Sequence, residues 1–330
     1  MFKPPQPPQS LGRAEFTAML AFLMSLQALG IDTMLPALGD IAADLGAPNP
    51  NDRQLVVGSY LIGMGVGSLI FGFLADRFGR RRVLLGGIAV YCMFDFMCMI
   101  ITSFPAMIAF RFANGMVASA GAVIANAIVR DKYEGDAMAR IVSLIATVFM
   151  VVPVLAPTIG QTILLVADWR SIFGVMFTMG VIMFLWVYLR LAETMDPENR
   201  QSLDVKRVAR NFRIIVTNRD AVGYVLGATL VFGGLYGYIN CSEQLVAVHF
   251  GLGEKFAYVF GGMALCMAGS NFINSRIVET HGARRVSHSA LLVFVFTGGL
   301  QWAAATYYPD AFWLFAPIMT VNLALIGFLG

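Results

Sequence analysis

The chain has 330 residues, of which 58% are hydrophobic and only 13% are charged, whereas roughly 25% of the residues of a soluble domain are charged. This composition excludes a water-soluble globular protein, because such a fold needs polar side chains to cover its surface. The 23 Lys and Arg residues nearly balance the 20 Asp and Glu residues, and so small a net charge does not favour nucleic acid as a partner.

Continuous apolar runs of about 20 residues predict helices that cross a lipid bilayer. Ten such runs occur, at 14–36, 55–75, 83–102, 106–129, 141–165, 172–191, 221–240, 256–278, 287–307 and 312–330. They are numbered here as predicted helices 1 to 10. Only helices and closed barrels satisfy the backbone in lipid, and these runs lack the alternation of barrel strands. The sequence therefore predicts an all-α membrane protein.

The basic residues are distributed unevenly between the connections. Nineteen of them lie before helix 1 or in the connections that follow even-numbered helices, and only Arg53, Arg170 and Lys255 lie on the other side. The remaining one, Arg111, is inside helix 4. Because positively charged connections stay in the cytoplasm, we expect the N-terminus on the cytoplasmic side of the membrane.

The longest connection separates six predicted helices from four. It predicts an N-terminal six-helix bundle over 1–192, a basic linker over 193–220 and a C-terminal bundle over 221–330. Within the linker, Val208, Phe212 and Ile215 recur at helical spacing among basic residues. This pattern favours an amphipathic helix on the inner membrane surface, and a solvated linker is the alternative.

An internal repeat supports the same division. The acid, the glycine, two arginines and the valine of the segment Asp76–Val83 recur in Glu279–Val286, 203 residues later. Such parallel repeats occur in secondary transporters. Two six-helix units would place this turn after helices 2 and 8, so we expect that the chain as given lacks helices 11 and 12 and does not transport by itself.

The segment Gly72–Arg82 resembles the signature of the major facilitator superfamily between helices 2 and 3. A glycine there permits close helix packing, and a carboxylate can sit at the N-terminus of a facing helix. The resemblance implies a conformational latch, and its residues are Gly72, Asp76, Arg77, Gly79, Arg80 and Arg81.

Within this superfamily, the chain resembles drug:proton antiporters of the bicyclomycin and chloramphenicol resistance type. The matching segments are Asp32–Leu38, Val129–Asp131 with Ala139–Arg140, Ala156–Gly160 and Trp169–Phe173. The chain departs from the family pattern at Gln161, Ala192 and Glu243. The resemblance implies a twelve-helix fold and a helix 5 hinge, formed by Pro153, Pro157 and Gly160.

The resemblance also implies a function. It suggests an inner-membrane transporter, and not an enzyme, that exports small amphipathic compounds in exchange for protons by alternating access. We expect it to act in the lipid bilayer as a monomer, without cofactor, metal or nucleic acid. A proton-coupled uptake carrier and a transport-inactive sensor or interaction protein stay open as alternatives.

Asp32 is the strongest candidate for the proton-coupling and substrate-binding group. A charge inside a membrane helix is costly and therefore marks a functional site by default. Asp32 shares a helix face with Ser25, and Pro36 cannot donate a hydrogen bond to the carbonyl of Asp32. The alternative is a cap near the outer end of helix 1.

Arg111 is the expected partner of Asp32, because the two residues lie at similar depths in helices 4 and 1. Asn114 lies one turn from Arg111 and is expected to share the network, and the resemblance places the element Arg111–Gly115 at the central cavity. Asp95 in helix 3 is the rival partner of Arg111. The acidic residues Asp131, Glu134 and Asp136 suggest a metal site less strongly, because they lie in a connection that resembles the family's own.

Overall fold

The computed structural model describes residues 12–195, 210, 213–214 and 216–329, apart from the side chains of Asp136, Ala139 and Asp220. The regular secondary structure of this part is helical, and its residues form no strand. Its ten long helices are α1 Arg13–Asp32, α2 Leu55–Phe78, α3 Arg80–Ile100, α4 Phe104–Lys132, α5 Gly135–Leu164, α6 Arg170–Arg190, α7 Arg219–Glu243, α8 Phe256–His281, α9 Ala283–Tyr307 and α10 Phe312–Ile326.

These helices confirm the all-α membrane class. Among the described residues, nine helical spans are long and apolar enough to cross a membrane, and the tenth helix, Phe312–Ile326, is a shorter apolar one. The predicted amphipathic helix of the linker falls mostly on 196–209, 211–212 and 215, which lie outside the described residues. It stays a prediction.

Helix 1 is shorter than predicted. The prediction that it continues to Pro36 is wrong, because α1 ends at Asp32 and the chain turns at Thr33 and Met34. A 3₁₀ turn then covers Leu35–Ala37 before the short helix Leu38–Asp44. Pro36 has no N–H to donate to the carbonyl of Asp32, so the regular hydrogen-bond ladder stops there.

The other differences concern helix ends. α5 begins at Gly135, six residues before its predicted start, because the polar residues that precede an apolar run can still continue the helical ladder. α7 extends to Glu243 and continues into a π-helical turn over Gln244–His249.

The chain divides into two compact units, Met1–Leu203 and Asp204–Gly330, called unit 1 and unit 2 below. In unit 1, α4 packs against α1, α2 and α3, while α6 packs against α3 and α1. The closest approach joins α2 and α4. A Cβ atom on Gly63 or Gly67 would overlap the carbonyl oxygen of Phe112 or Met116, and one on Gly115 would overlap that of Tyr60.

Ionic contacts close both ends of unit 1. At one end, Glu15 of α1 accepts two hydrogen bonds of 2.7 Å from the guanidinium of Arg190 in α6, and a third from Trp186 at 3.3 Å. At the other end, Asp44 accepts from Arg170 at 2.6 Å and from Trp169 at 3.2 Å. These charged side chains thus link both α1 and the short helix Leu38–Asp44 that follows it to α6.

Unit 2 repeats the turn that follows α2. Gly79 precedes α3 with φ 95° and ψ 148°, and Gly282 precedes α9 with φ 80° and ψ 140°. Positive φ at both positions favours glycine. The repeat in the sequence therefore corresponds to the same backbone turn in both units. Within unit 2, α8 and α9 both pack on α10, where Thr297 donates to Asn322 at 2.6 Å.

The glycine contacts of α2 and α4 give a stability prediction. Gly63→Ala should push the helices apart, and overpacking of this kind costs about 1–3 kcal/mol. Gly65 lies on the same helix and its added Cβ would meet nothing within 4 Å, so Gly65→Ala is the matched control. Thermal unfolding of the purified proteins should show a lower midpoint for Gly63→Ala alone, and equal midpoints would contradict the close-packing account.

Candidate functional site

Asp32, Asp95 and Arg111 are ionisable side chains that lie buried within the apolar helical spans of unit 1. Asp32 ends α1, Asp95 lies in the second half of α3, and Arg111 lies two turns into α4. Their exposed fractions are 3%, 1% and 0%. Buried charges are stable only with partners, so the contacts of these three residues define the candidate site.

Arg111 joins three helices. Its Nη2 donates to the carbonyl of Gly30 in α1 at 2.9 Å, and its Nε donates to the carbonyl of Val56 in α2 at 3.2 Å. The guanidinium also lies 4.1 Å from the ring centroid of Tyr60, which contributes a cation–π contact. Gly30 is within the last turn of α1, where carbonyls lack intrahelical donors. The end of α1 at Asp32 therefore supplies an acceptor for Arg111.

Asn114 bridges to α3. Its Nδ2 donates to Oδ1 of Asp95 at 3.0 Å and lies 3.3 Å from the carbonyl oxygen of Tyr91. Asn114 and Arg111 are one turn apart on the same face of α4. One helix face thus contacts α1, α2 and α3 together.

The expected pairing of Arg111 with Asp32 has no direct contact in the described residues. Arg111 binds the carbonyl of Gly30, two residues before Asp32, and no hydrogen bond or ion pair joins the two side chains. Ser25, on the same helix, donates to the carbonyl of Ala21 at 2.8 Å. The structure brings Asp95 and Asn114 into direct contact instead, so the rival acid occupies the place next to the α4 network.

Several polar atoms in this region are buried and have no hydrogen-bond partner among the described residues. They are Gln27 Oε1, Thr33 Oγ1, Tyr91 Oη, Asp95 Oδ2, Arg111 Nη1 and Asn114 Oδ1. Most buried polar atoms are satisfied in native proteins, so each exception calls for an explanation, of which a functional role is one. Donors and acceptors are both present, from α1, α3 and α4.

The predicted hinge of helix 5 packs against the end of α1. α5 is continuous through Pro153 and Pro157. At Gly160, a Cβ atom would overlap the carbonyl oxygen of Thr33. The small residue therefore allows α5 to approach the backbone of the turn that follows Asp32.

The latch residues form a network at the end of unit 1 that carries Glu15 and Arg190. Arg80 donates to Asp76 at 2.5 Å and to Asp131 at 3.1 Å. Arg81 donates to the carbonyl of Tyr188 at 2.7 Å. The network therefore connects α2, α3, α4 and α6. Arg77 and Gly72 contribute less to this network. Arg77 is exposed, and a Cβ atom added to Gly72 would make only an ordinary van der Waals contact.

The side chain of Glu193, which follows α6 in the sequence, reaches the N-terminus of α3. Its Oε1 accepts from the backbone N–H of Arg80 at 2.8 Å and of Arg81 at 3.4 Å. A Cβ atom on Gly79 would lie 2.5 Å from Oε2 of Glu193, so the glycine makes room for the carboxylate. A negative charge at this position satisfies free N–H groups and complements the helix dipole. Within unit 1, the carboxylate of Asp76 pairs with Arg80, and the expectation that it faces the N-terminus of a further helix stays a prediction.

Sequence reasoning missed several of these residues. Tyr60, Tyr91 and Glu193 carried no motif that marks a contact with Arg111, Asp95 or the start of α3. Glu193 had one signal, because it is an acid outside the apolar runs and lies next to Ala192, where the chain departs from the family pattern. Asp44 had a similar signal, as an acid outside the apolar runs.

Comparisons with known proteins agree with this fold. The family model described as Major Facilitator Superfamily matches residues 20–330. The chain is 31% identical over 300 residues to a "Bicyclomycin resistance protein homolog" of Haemophilus influenzae, covering 90% of this chain and 75% of that protein. It is 33% identical over 248 residues to a "Multidrug resistance protein MdtL" of Salmonella heidelberg, covering 74% of this chain but only 60% of that protein.

A solved structure supports the same assignment at the level of the fold. The crystal structure of a D-xylose-proton symporter matches with a TM-score of 0.70 and 15% identity, and the match covers 95% of this chain and 80% of that one. Together with the apolar helical spans, these matches confirm a multi-pass membrane protein of the transporter type. The chain belongs to the major facilitator superfamily.

Proposed function

We propose that this protein is an inner-membrane transporter that exports small amphipathic compounds, antimicrobials among them, in exchange for protons. The observation that carries the proposal is the burial of an acidic side chain at the end of α1: Asp32 has an exposed fraction of only 3%. The N-terminus and the basic connections would lie in the cytoplasm, as the distribution of Lys and Arg favours.

The chemistry of exchange follows from burial. A carboxyl in apolar surroundings favours its protonated form, and a nearby cation favours its ionised form. A cationic or polar substrate that reaches Asp32 would therefore displace the proton, and a returning proton would release the substrate. One carboxyl can serve both partners because the two states exclude each other.

The latch and the helix 5 hinge would convert this exchange into alternating access. The Asp76–Arg80–Asp131 contacts join α2, α3 and α4 at one end of unit 1. Gly160 packs against the turn that follows Asp32, so a change at Asp32 can reach α5 through direct backbone contact. The helices α2, α3 and α4 take part both in the latch contacts and in the contacts of Arg111 and Asn114, so a movement at one end would reach the other.

The names of the relatives favour export over uptake. Both relatives described above are named for resistance, whereas the likeness to a sugar symporter concerns the fold alone. Survival of cells on a panel of drugs, with and without an uncoupler, separates the possibilities. An exporter protects cells only while the proton gradient is present, and an uptake carrier or an inactive sensor gives no protection.

Asp32→Asn should abolish gradient-driven export while the protein is still made and inserted. Asn keeps the shape and the polarity of the side chain but cannot bind and release a proton. Drug efflux and proton release on substrate addition are the measurements, and Asp40→Asn, at an exposed acid of the following short helix, is the control. Undiminished proton release in Asp32→Asn would contradict the assignment.

Arg111→Lys should impair transport severely, although it keeps the positive charge. The Nη2 and Nε atoms of Arg111 reach carbonyls on two different helices, and a lysine ammonium cannot reproduce this forked geometry. Efflux rates of Arg111→Lys and Arg111→Ala are to be compared at equal expression. Near-normal efflux in Arg111→Lys, with loss in Arg111→Ala, would show that a point charge is sufficient.

Glu193→Ala should destabilise the start of α3 by about 0.5–2 kcal/mol, the range for lost caps, and should weaken the latch. Glu193→Gln keeps an acceptor oxygen and should lose less. Glu134→Ala is the matched control, because Glu134 precedes α5 without a side-chain cap bond. In thermal unfolding in detergent, we expect the lowest midpoint for Glu193→Ala, a higher one for Glu193→Gln and the highest for Glu134→Ala. Equal midpoints for all three variants would contradict the capping role.

A further inference from the structure

Tyr60 of α2 is fixed on three sides. It is fully buried, and its backbone carbonyl oxygen occupies the space that a Cβ atom on Gly115 of α4 would need. The centroid of its ring lies 4.1 Å from Cζ of Arg111, and its hydroxyl donates to the carbonyl of Gln27 in α1 at 3.2 Å. One buried residue of α2 therefore contacts both α1 and the buried cation of α4.

The hydroxyl of Tyr60 lies against Gly30, whose carbonyl accepts from Arg111. A Cβ atom added to Gly30 would lie 2.8 Å from Oη of Tyr60 and 3.4 Å from Oη of Tyr91. A carbon atom and a hydroxyl oxygen do not pack at 2.8 Å, so a side chain on Gly30 would displace the hydroxyl of Tyr60. The absence of a side chain at Gly30 thus lets this hydroxyl and the guanidinium reach the same part of α1.

The two donors bind carbonyls that are neighbours on α1. Gln27 and Gly30 are three residues apart, so they lie on the same face of the helix. Tyr60 binds the first carbonyl at 3.2 Å, and Arg111 binds the second at 2.9 Å. Because the ring of Tyr60 also covers the guanidinium, these direct contacts form a closed loop through α1, α2 and α4.

A tyrosine serves both contacts at once. An aromatic face attracts a desolvated guanidinium, and this attraction matters because Nη1 of Arg111 has no hydrogen-bond partner among the described residues. The hydroxyl at the tip of the same ring reaches α1. Of the two contacts, a phenylalanine would supply only the first, and a leucine would supply neither.

We propose that Tyr60 is a positioning residue of the candidate site, which holds the guanidinium of Arg111 against the last turn of α1. That turn ends at Asp32, two residues after Gly30, so the meaning of Tyr60 for transport rests on the proposed function. Because the side chain of Tyr60 has no exposed surface, it does not touch substrate. We therefore expect the turnover number to depend on Tyr60, and KM to be independent of it.

A double-mutant cycle tests the contact without any transport. Gly30→Ala should lower the midpoint of thermal unfolding of the full chain in lipid nanodiscs more in the wild type than in Tyr60→Phe, because only the tyrosine has the hydroxyl that meets the added methyl group. Gly65→Ala, whose Cβ atom meets nothing within 4 Å, should have the same effect in both backgrounds. An effect of Gly30→Ala that is equal or larger in Tyr60→Phe would overturn the proposal. If Gly30→Ala alone does not fold, recovery of folded protein on adding Tyr60→Phe replaces the midpoint, and no recovery would overturn the proposal.

Efflux kinetics at equal amounts of folded protein test the positioning role. Tyr60→Phe keeps the ring and should lower kcat about two- to tenfold, the size expected for one neutral hydrogen bond, with KM unchanged. Tyr60→Leu also loses the ring and should lower kcat further, so that the phenylalanine gives partial rescue. Tyr258→Phe, at an exposed tyrosine of α8, is the matched control and should keep both constants. A raised KM at unchanged kcat in Tyr60→Leu would overturn the proposal, since Tyr60 would then contribute to substrate binding.

The two measurements separate this proposal from the proposed function. A wild type that exports nothing contradicts the proposed function, and the unfolding cycle then still decides whether Tyr60 holds the end of α1. A wild type that exports, together with Tyr60→Phe and Tyr60→Leu variants that export equally fast, contradicts the positioning role alone.

Discussion

Unit 1 is organised around the need to bury one guanidinium without access to water. Arg111 has no exposed surface, and an uncompensated charge there would cost several kcal/mol. The chain meets this need with backbone carbonyls and an aromatic face. The end of α1 frees the carbonyl of Gly30, the start of α2 presents that of Val56, and Tyr60 covers the guanidinium. The helix break at Asp32 is thus part of the binding of Arg111.

The close packing of α2 and α4 depends on the same requirement. Arg111 can reach Val56 only if the two helices approach until their backbones touch, and Gly63, Gly67 and Gly115 permit this approach. In lipid, packing is driven by van der Waals contact and polar links more than by the hydrophobic effect. Small residues and one buried arginine therefore act together, and a change in either affects the position of the other.

The sequence predicted much of this architecture and little of the contact pattern. Long apolar runs and the repeated turn are local features, so the helices and the positions of Gly79 and Gly282 could be predicted. Asp32, Arg111 and Asn114 could also be selected, because polar residues are rare in membrane helices. The partners of these residues could not be predicted, because the depth of a residue along its helix does not determine which neighbouring helix its side chain faces. Pro36 ended α1 early and placed a carbonyl, where a carboxylate was expected, next to Arg111.

Glu193 illustrates the same limit at the end of the bundle. It lies 113 residues from Arg80 in the sequence, and only the packing of α6 on α3 brings its carboxylate to the N-terminus of α3. The repeated motif gave no indication of this contact, since a turn can be conserved in backbone while its side-chain partners differ between the two units.

Unit 2 provides that contrast. Gly282 has the same backbone conformation as Gly79, but Ala283 stands where Arg80 stands in unit 1, and a Cβ atom on Gly282 would meet nothing within 4 Å among the described residues. The turn itself therefore needs only a glycine with positive φ and the backbone bonds on either side. The ionic network of Asp76, Arg80 and Asp131 is an addition to that turn in unit 1. The turn of unit 2 forms with Ala283 at the position of Arg80, so the backbone turn does not require the contacts that Arg80 makes in unit 1. The proposed latch needs this independence, because its ionic contacts have to break and form again while the surrounding helices stay folded.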